Sequence, residues 1–126
     1  MSNITPHFTW NEVKLDPNGI SVEVMENAER MAQWLEHVRV WCGFPLKINS
    51  WYRSPSHPLE RVKDEPGVHA TGLAVDIQCT DGGRRLKIVK AAIHNHVRGI
   101  GVGPNFIHLD LGEPTKRRPR PWMWTY

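Results

Sequence analysis

The densest chemistry in the 126-residue sequence lies in two histidines and an aspartate. His69 and Asp76 bound the run His69-Ala70-Thr71-Gly72-Leu73-Ala74-Val75-Asp76, and His108 follows in Phe106-Ile107-His108-Leu109-Asp110. Two imidazoles and one carboxylate are borderline nitrogen and oxygen donors of the kind Zn²⁺ accepts, and three protein ligands leave the fourth tetrahedral position to water, as a catalytic zinc requires. One Zn²⁺ held by His69, Asp76 and His108 is therefore the expected cofactor. Strand alternation supports the set, because successive side chains point to opposite faces of a sheet. Leu73, Val75, Ile77 and Cys79 fall on one face, with Ala74, Asp76 and Gln78 on the other. Ile107, Leu109 and Leu111 likewise oppose Phe106, His108 and Asp110. Each strand is expected to bury one side and present acid or imidazole on the other.

Further candidates surround this trio. Asp110 shares the face of His108, so its carboxylate is expected either to accept a proton from the zinc-bound water or to orient the His108 ring. His57 and the loop acids Asp64 and Glu65 come next as proton carriers. A planar guanidinium matches a carboxylate with two parallel hydrogen bonds, which suits Arg53 to a peptide's terminal or side-chain carboxylate; Ser50 and Tyr52 flank it as supporting groups. His94 and His96, two residues apart on a helix, sit about 200° apart around its axis and cannot chelate one metal together.

The elements that must position these residues are readable from periodicity and punctuation. Met25, Ala28, Met31, Ala32, Leu35, Val38 and Cys42 recur at helical spacing with charged residues between them, and Gly43 is placed to cap the end. Leu46 to Trp51 reads as a strand ended by the Pro55 and Pro58 loop, and Glu60 to Gly67 as a charged, flexible approach to His69. Asp81 can cap a second helix whose inner face is expected to carry Leu86, Val89, Ile93 and Val97. This order predicts a single α+β domain over residues 1–126, with a small antiparallel sheet carrying the metal site against a long amphipathic helix and a second helix.

Composition bounds the rest. A chain 40% hydrophobic and of this length can bury one core. No apolar run approaches a membrane span and no signal-peptide pattern opens the sequence, so synthesis in a cytoplasm is expected. Cys42 and Cys79 lack metal-type spacing and read as two reduced, buried thiols. The segment Lys116-Arg117-Arg118-Pro119-Arg120-Pro121-Trp122-Met123-Trp124, within the basic and Trp-rich 113–126, accounts for much of the net charge of +3 and the pI near 9.1. Its tryptophans are expected to pack over the sheet, with Arg117, Arg118 or Arg120 lining the cleft, rather than to bind nucleic acid.

The His-Ala-Thr-Gly-Leu-Ala-Val-Asp run and the later His-Leu-Asp resemble the zinc D-Ala-D-Ala carboxypeptidase family, which includes phage endolysin peptidases, vancomycin-resistance dipeptidases and the hedgehog signalling domain. The likeness extends to Phe8-Thr9-Trp10-Asn11-Glu12, to Ile48-Asn49-Ser50-Trp51-Tyr52-Arg53-Ser54 and to Gly99-Ile100-Gly101-Val102. It implies a zinc peptidase, expected as a monomer, that cuts a peptidoglycan stem peptide or cross-bridge in the cell wall after release, with Arg53 receiving a substrate carboxylate. Many members place Glu or Asp three residues before the last ligand, or His two before it. This chain has Asn105 and Phe106 there, and Gly67-Val68 where a Ser-x step is common. A noncatalytic, zinc-stabilised module binding the wall or a polyanion is the alternative that these departures leave standing.

Overall fold

Local capping sets the first elements of the chain, a computed structural model of which describes residues 2–14, 20–63 and 67–126. Strands β1 (Asn3–Thr5) and β2 (Phe8–Thr9) pair antiparallel. Thr9 and Glu12 then form a capping box at the short helix α1 (Trp10–Val13), the Thr9 amide donating to Glu12 Oε1 at 2.9 Å. This turn drives Phe8 into the core, edge-on to Trp51.

Helix α2 (Val22–Cys42) begins where the Ser21 hydroxyl accepts the Val24 amide and ends at Gly43, whose φ of +77° suits a residue without a Cβ. Its inner stripe is Ala28, Met31, Ala32, Leu35, Val38 and Cys42, as the periodicity predicts. Met25, on the first turn, is exposed. Strand β3 (Lys47–Ser50) follows, then a 3₁₀ turn at Val68–Thr71, strand β4 (Ala74–Gln78) and helix α3 (Gly82–His94), capped by Asp81. Helix α3 corrects the expected face. Ile88, Ala91 and Ala92 are buried, whereas Leu86 and Ile93 are 59% and 57% exposed. Two adjacent alanines let α3 lie close on α2, where Trp34 Nε1 donates to the Asn95 carbonyl at 2.7 Å, and this turns the larger Leu86 and Ile93 outward. Val97 lies beyond the last turn of the helix.

Strands β5 (Gly99–Val102), β6 (Phe106–Asp110) and β7 (Trp122–Thr125) complete a five-stranded sheet of order β3-β4-β6-β5-β7. Its first four strands are antiparallel, and β7 adds parallel to β5 at the edge. One face packs Val75, Ile77, Ile100, Ile107 and Leu109 into the core with α2 and α3. The other carries a row in direct cross-strand register: Ser50, Asp76, His108, Gly101 and Trp124. Cys42 and Cys79 are free, buried thiols. Among the described residues, no helix is long and apolar enough to cross a membrane.

Candidate metal centre

Three separate elements deliver the expected ligands to one point. His69 comes from the 3₁₀ turn, closed by Gly72 at a φ of +85° and by the Thr71 hydroxyl donating to the Val68 carbonyl at 2.6 Å. A Cβ on Gly72 would also sit 2.9 Å from the Val24 carbonyl of α2, so the turn is both left-handed and tightly packed there. Asp76 on β4 and His108 on β6 are direct partners across the sheet. Asp76 Oδ1 lies 3.3 Å from His69 Nε2 and 3.1 Å from His108 Nδ1, and one donor atom from each residue falls within 4.8 Å of the other two.

The outer hydrogen bonds decide which ring nitrogens face inward. His69 Nδ1 is 2.6 Å from the Trp51 carbonyl, and a carbonyl only accepts, so Nδ1 carries the proton and Nε2 keeps a lone pair. His108 Nε2 is 2.7 Å from the Asp110 carboxylate, which leaves the Nδ1 lone pair facing Asp76 in the same way. Three electron-rich atoms thus converge. Only a cation between them, a proton or a metal ion, makes the arrangement favourable, and nitrogen and oxygen donors with both imidazoles locked from behind fit a borderline divalent metal.

Electrostatics agree with that reading. Burial alone would lift the Asp76 carboxyl, but where a proton takes the shared position the His108 and His69 rings donate to it and bring positive charge beside it, which holds it well below the usual carboxylate range. Burial would depress His108, yet hydrogen bonds to Asp110 and Asp76 raise its pKa instead. Asp110 is fully buried. Its Oδ2 accepts His108 Nε2 and Arg120 Nη2 (2.8 Å), and its Oδ1 accepts Arg120 Nε (2.9 Å) and the Gly112 amide (3.0 Å). Desolvation would raise its pKa, and the bonds from His108 and Arg120 overcome it and keep Asp110 ionised. All four acceptor positions of that carboxylate are filled.

The centre opens into a cleft of about 560 Å³. Arg53 lines it, with Nη2 3.2 Å from Asp76 Oδ2 and Nη1 3.6 Å from Glu60 Oε2. Arg118 and Arg120 line it as well; Arg117 does not. Ser50 and Tyr52, expected as supporting groups, lie outside the lining. Tyr52 packs against the core beside Trp51, so what this segment sends to the centre is the Trp51 carbonyl and the Arg53 side chain. His57 sits outside it too, its Nδ1 accepting the Leu59 amide at 3.1 Å to close a turn. Asp64 and Glu65 lie outside the described residues.

Glu60 and Tyr126 carry no signal in the sequence, and Trp124 is one of the tryptophans expected over the sheet. Glu60, read as part of a flexible approach, is 1% exposed and holds Lys63 Nζ at 2.9 Å and the Gly67 amide at 2.8 Å. Trp124 stacks against His108 with ring centroids 5.1 Å apart, and Tyr126 follows it along the cleft wall. Among the described residues, Asp76 is the one carboxylate in the lining, and His69 and His108 are its two imidazoles.

A small α+β domain whose sheet and turn present two imidazoles and a carboxylate in an open cleft has the architecture of a metallohydrolase. The chain matches Peptidase M15 over residues 6–110 and belongs to that family, which makes it a metal-dependent peptidase. A comparison with curated proteins finds no match.

Proposed function

We propose that the chain is a zinc peptidase that hydrolyses short peptides of bacterial peptidoglycan, either as a D-Ala-D-Ala carboxypeptidase or as a wall endopeptidase of the phage endolysin kind, made in a cytoplasm and acting on the wall after release. The observation that carries this reading is the pair of imidazoles whose outer nitrogens are both committed, to the Trp51 carbonyl and to Asp110, so that both inner lone pairs converge with Asp76. His69 Nε2, Asp76 and His108 Nδ1 would hold one zinc. When bound, it supplies a water acidified towards neutrality and a Lewis acid for the scissile carbonyl.

The protein's own groups do the rest. Asp110 holds the His108 ring through Nε2–H and is itself held by Arg120. Because no acceptor position remains on it, orienting the ligand suits it better than carrying a proton. Arg53 fixes the outer oxygen of Asp76 and has further N–H donors among its five for a substrate carboxylate. Lys63 and Arg118 add positive charge to the cleft, which favours stem peptides rich in carboxylates. A noncatalytic polyanion binder draws less support, since Arg120 of the basic cluster turns inward to Asp110 with its side chain only 6% exposed.

Purified sacculi and synthetic stem peptides incubated with the zinc-loaded chain, followed by mass spectrometry, test this. New fragments that disappear on chelation and return with zinc are expected, and their masses identify the bond. A zinc-loaded chain that leaves every wall peptide intact would remove the proposed substrate.

A further inference from the structure

Strand β7 brings one hydroxyl to the cleft that no ligand or ion pair consumes. In its parallel register Trp124 pairs with Gly101, and the Tyr126 amide donates to the Val102 carbonyl at 3.3 Å. A Cβ on Gly101 would lie 2.7 Å from Trp124 Nε1 and 2.8 Å from Tyr126 Cε2, so both rings lie over the space that a side chain would fill. The Tyr126 ring also packs on Phe106, with centroids 4.9 Å apart, and Trp124 in turn packs on the ligand His108. The phenol is thereby held on the wall of the cleft that His69, Asp76 and His108 line. At 66% exposure the residue is open to solvent on that wall.

The hydrogen-bonding arithmetic is specific. An indole N–H can only donate, so the bond between Trp124 and Tyr126 uses the phenol oxygen as acceptor and leaves its O–H for another partner. A phenol keeps that proton at neutral pH. Nearby, Asp110 and Arg120 bind each other, and Arg53 is oriented by Asp76 and Glu60.

We propose that Tyr126 is a catalytic residue whose hydroxyl donates a hydrogen bond to the scissile carbonyl oxygen as negative charge develops there. The proposal rests on the peptidase reading above. No bond to Tyr126 is made or broken; the phenol retains its proton throughout.

The test is Tyr126→Phe in the zinc-loaded full chain, a change that keeps the ring contacts with Phe106 and Trp124. Loss of one donor to a developing oxyanion lowers kcat by about 10²-fold or more, so that loss is expected with KM within about twofold and with zinc content and thermal midpoint unchanged. A second readout does not need turnover. A phosphinate dipeptide, tetrahedral and anionic at phosphorus, should bind the variant about 10²-fold more weakly by calorimetry, while the corresponding uncut dipeptide binds both proteins alike. If the wild type cuts wall peptides and Tyr126→Phe cuts them equally fast, the assignment falls and the peptidase reading stands. If the wild type cuts no wall peptide but discriminates by phosphinate affinity as described, the substrate reading falls and the assignment stands. Equal phosphinate affinity in the two proteins overturns the assignment whatever the activity.

Discussion

A carboxylate that already accepts four hydrogen bonds has no site left for a proton in transit, and this separates the two roles open to Asp110. Asp110→Asn should weaken zinc affinity by roughly 10- to 100-fold, measured by competition with a chromogenic chelator. It should also lower stability, because the Arg120 guanidinium loses its anion in a buried place. Unchanged zinc affinity with a large loss of turnover would return Asp110 to the base role. Arg53→Lys keeps the charge but not the planar fork, so kcat/KM on a carboxylate-bearing peptide should fall by tenfold or more; wild-type kinetics with zinc retained would make the arginine purely structural. Glu60 carries a pH signature. Burial pushes its pKa up, but hydrogen bonds from Lys63 and Gly67 and the charge of Lys63 and Arg53 bring it below 4.5. A folded pKa below the unfolded one means that the unfolded chain binds more protons, so this contribution is complete above about pH 4.5 and fades as the pH falls through the folded value. The gap in thermal midpoint between wild type and Glu60→Gln should therefore narrow from pH 6 towards pH 3, and a constant gap would show that ionisation is irrelevant. The cluster of candidate ligands was legible because alternation along two strands isolates Asp76 and His108 on a single face. Glu60 was not, because an i,i+3 lysine is an ordinary surface pair in sequence, and only folding adds the Gly67 amide and Arg53 that bury it.

Elements were legible where a local device ends them. Ser21, Gly43 and Asp81 each satisfy helix-end groups that would otherwise lack partners, and both long helices start or stop there. The inner face of α3 was not legible from hydrophobicity alone. Leu86 and Ile93 outweigh Ala91 and Ala92 on any apolar scale, yet the alanines win because close approach to α2 needs small side chains. Strand β7 was equally hidden: its pairing with β5 is parallel and spans the whole of β6 in the sequence, and what permits it is the absence of side chains on Gly99 and Gly101. Gly101→Ala should consequently displace Trp124 and cost about 1–3 kcal/mol, read by denaturant unfolding, and should expose the indole to a fluorescence quencher. Wild-type stability with unaltered quenching would show that the edge tolerates a methyl group.

At the scale of the molecule, the three candidate ligands come from a turn and two strands, so a metal ion held by them would link folding to metal binding. Chelation should lower the thermal midpoint by about 5 °C or more, and His69→Ala should show the lowered midpoint with no further response to chelator. An identical midpoint with and without metal would mean that the centre forms without its ion. The family match stops at Asp110, the residue that Arg120 grips, and the wall formed by Trp124 and Tyr126 lies wholly beyond it. Ligand set and cleft wall are thus two parts joined by the β5–β7 pairing and by the buried ionic latch of Asp110 and Arg120. A donor segment grafted in place of residues 113–126 could bring a new preference for substrate without touching the metal, provided it also brings a guanidinium to close on Asp110.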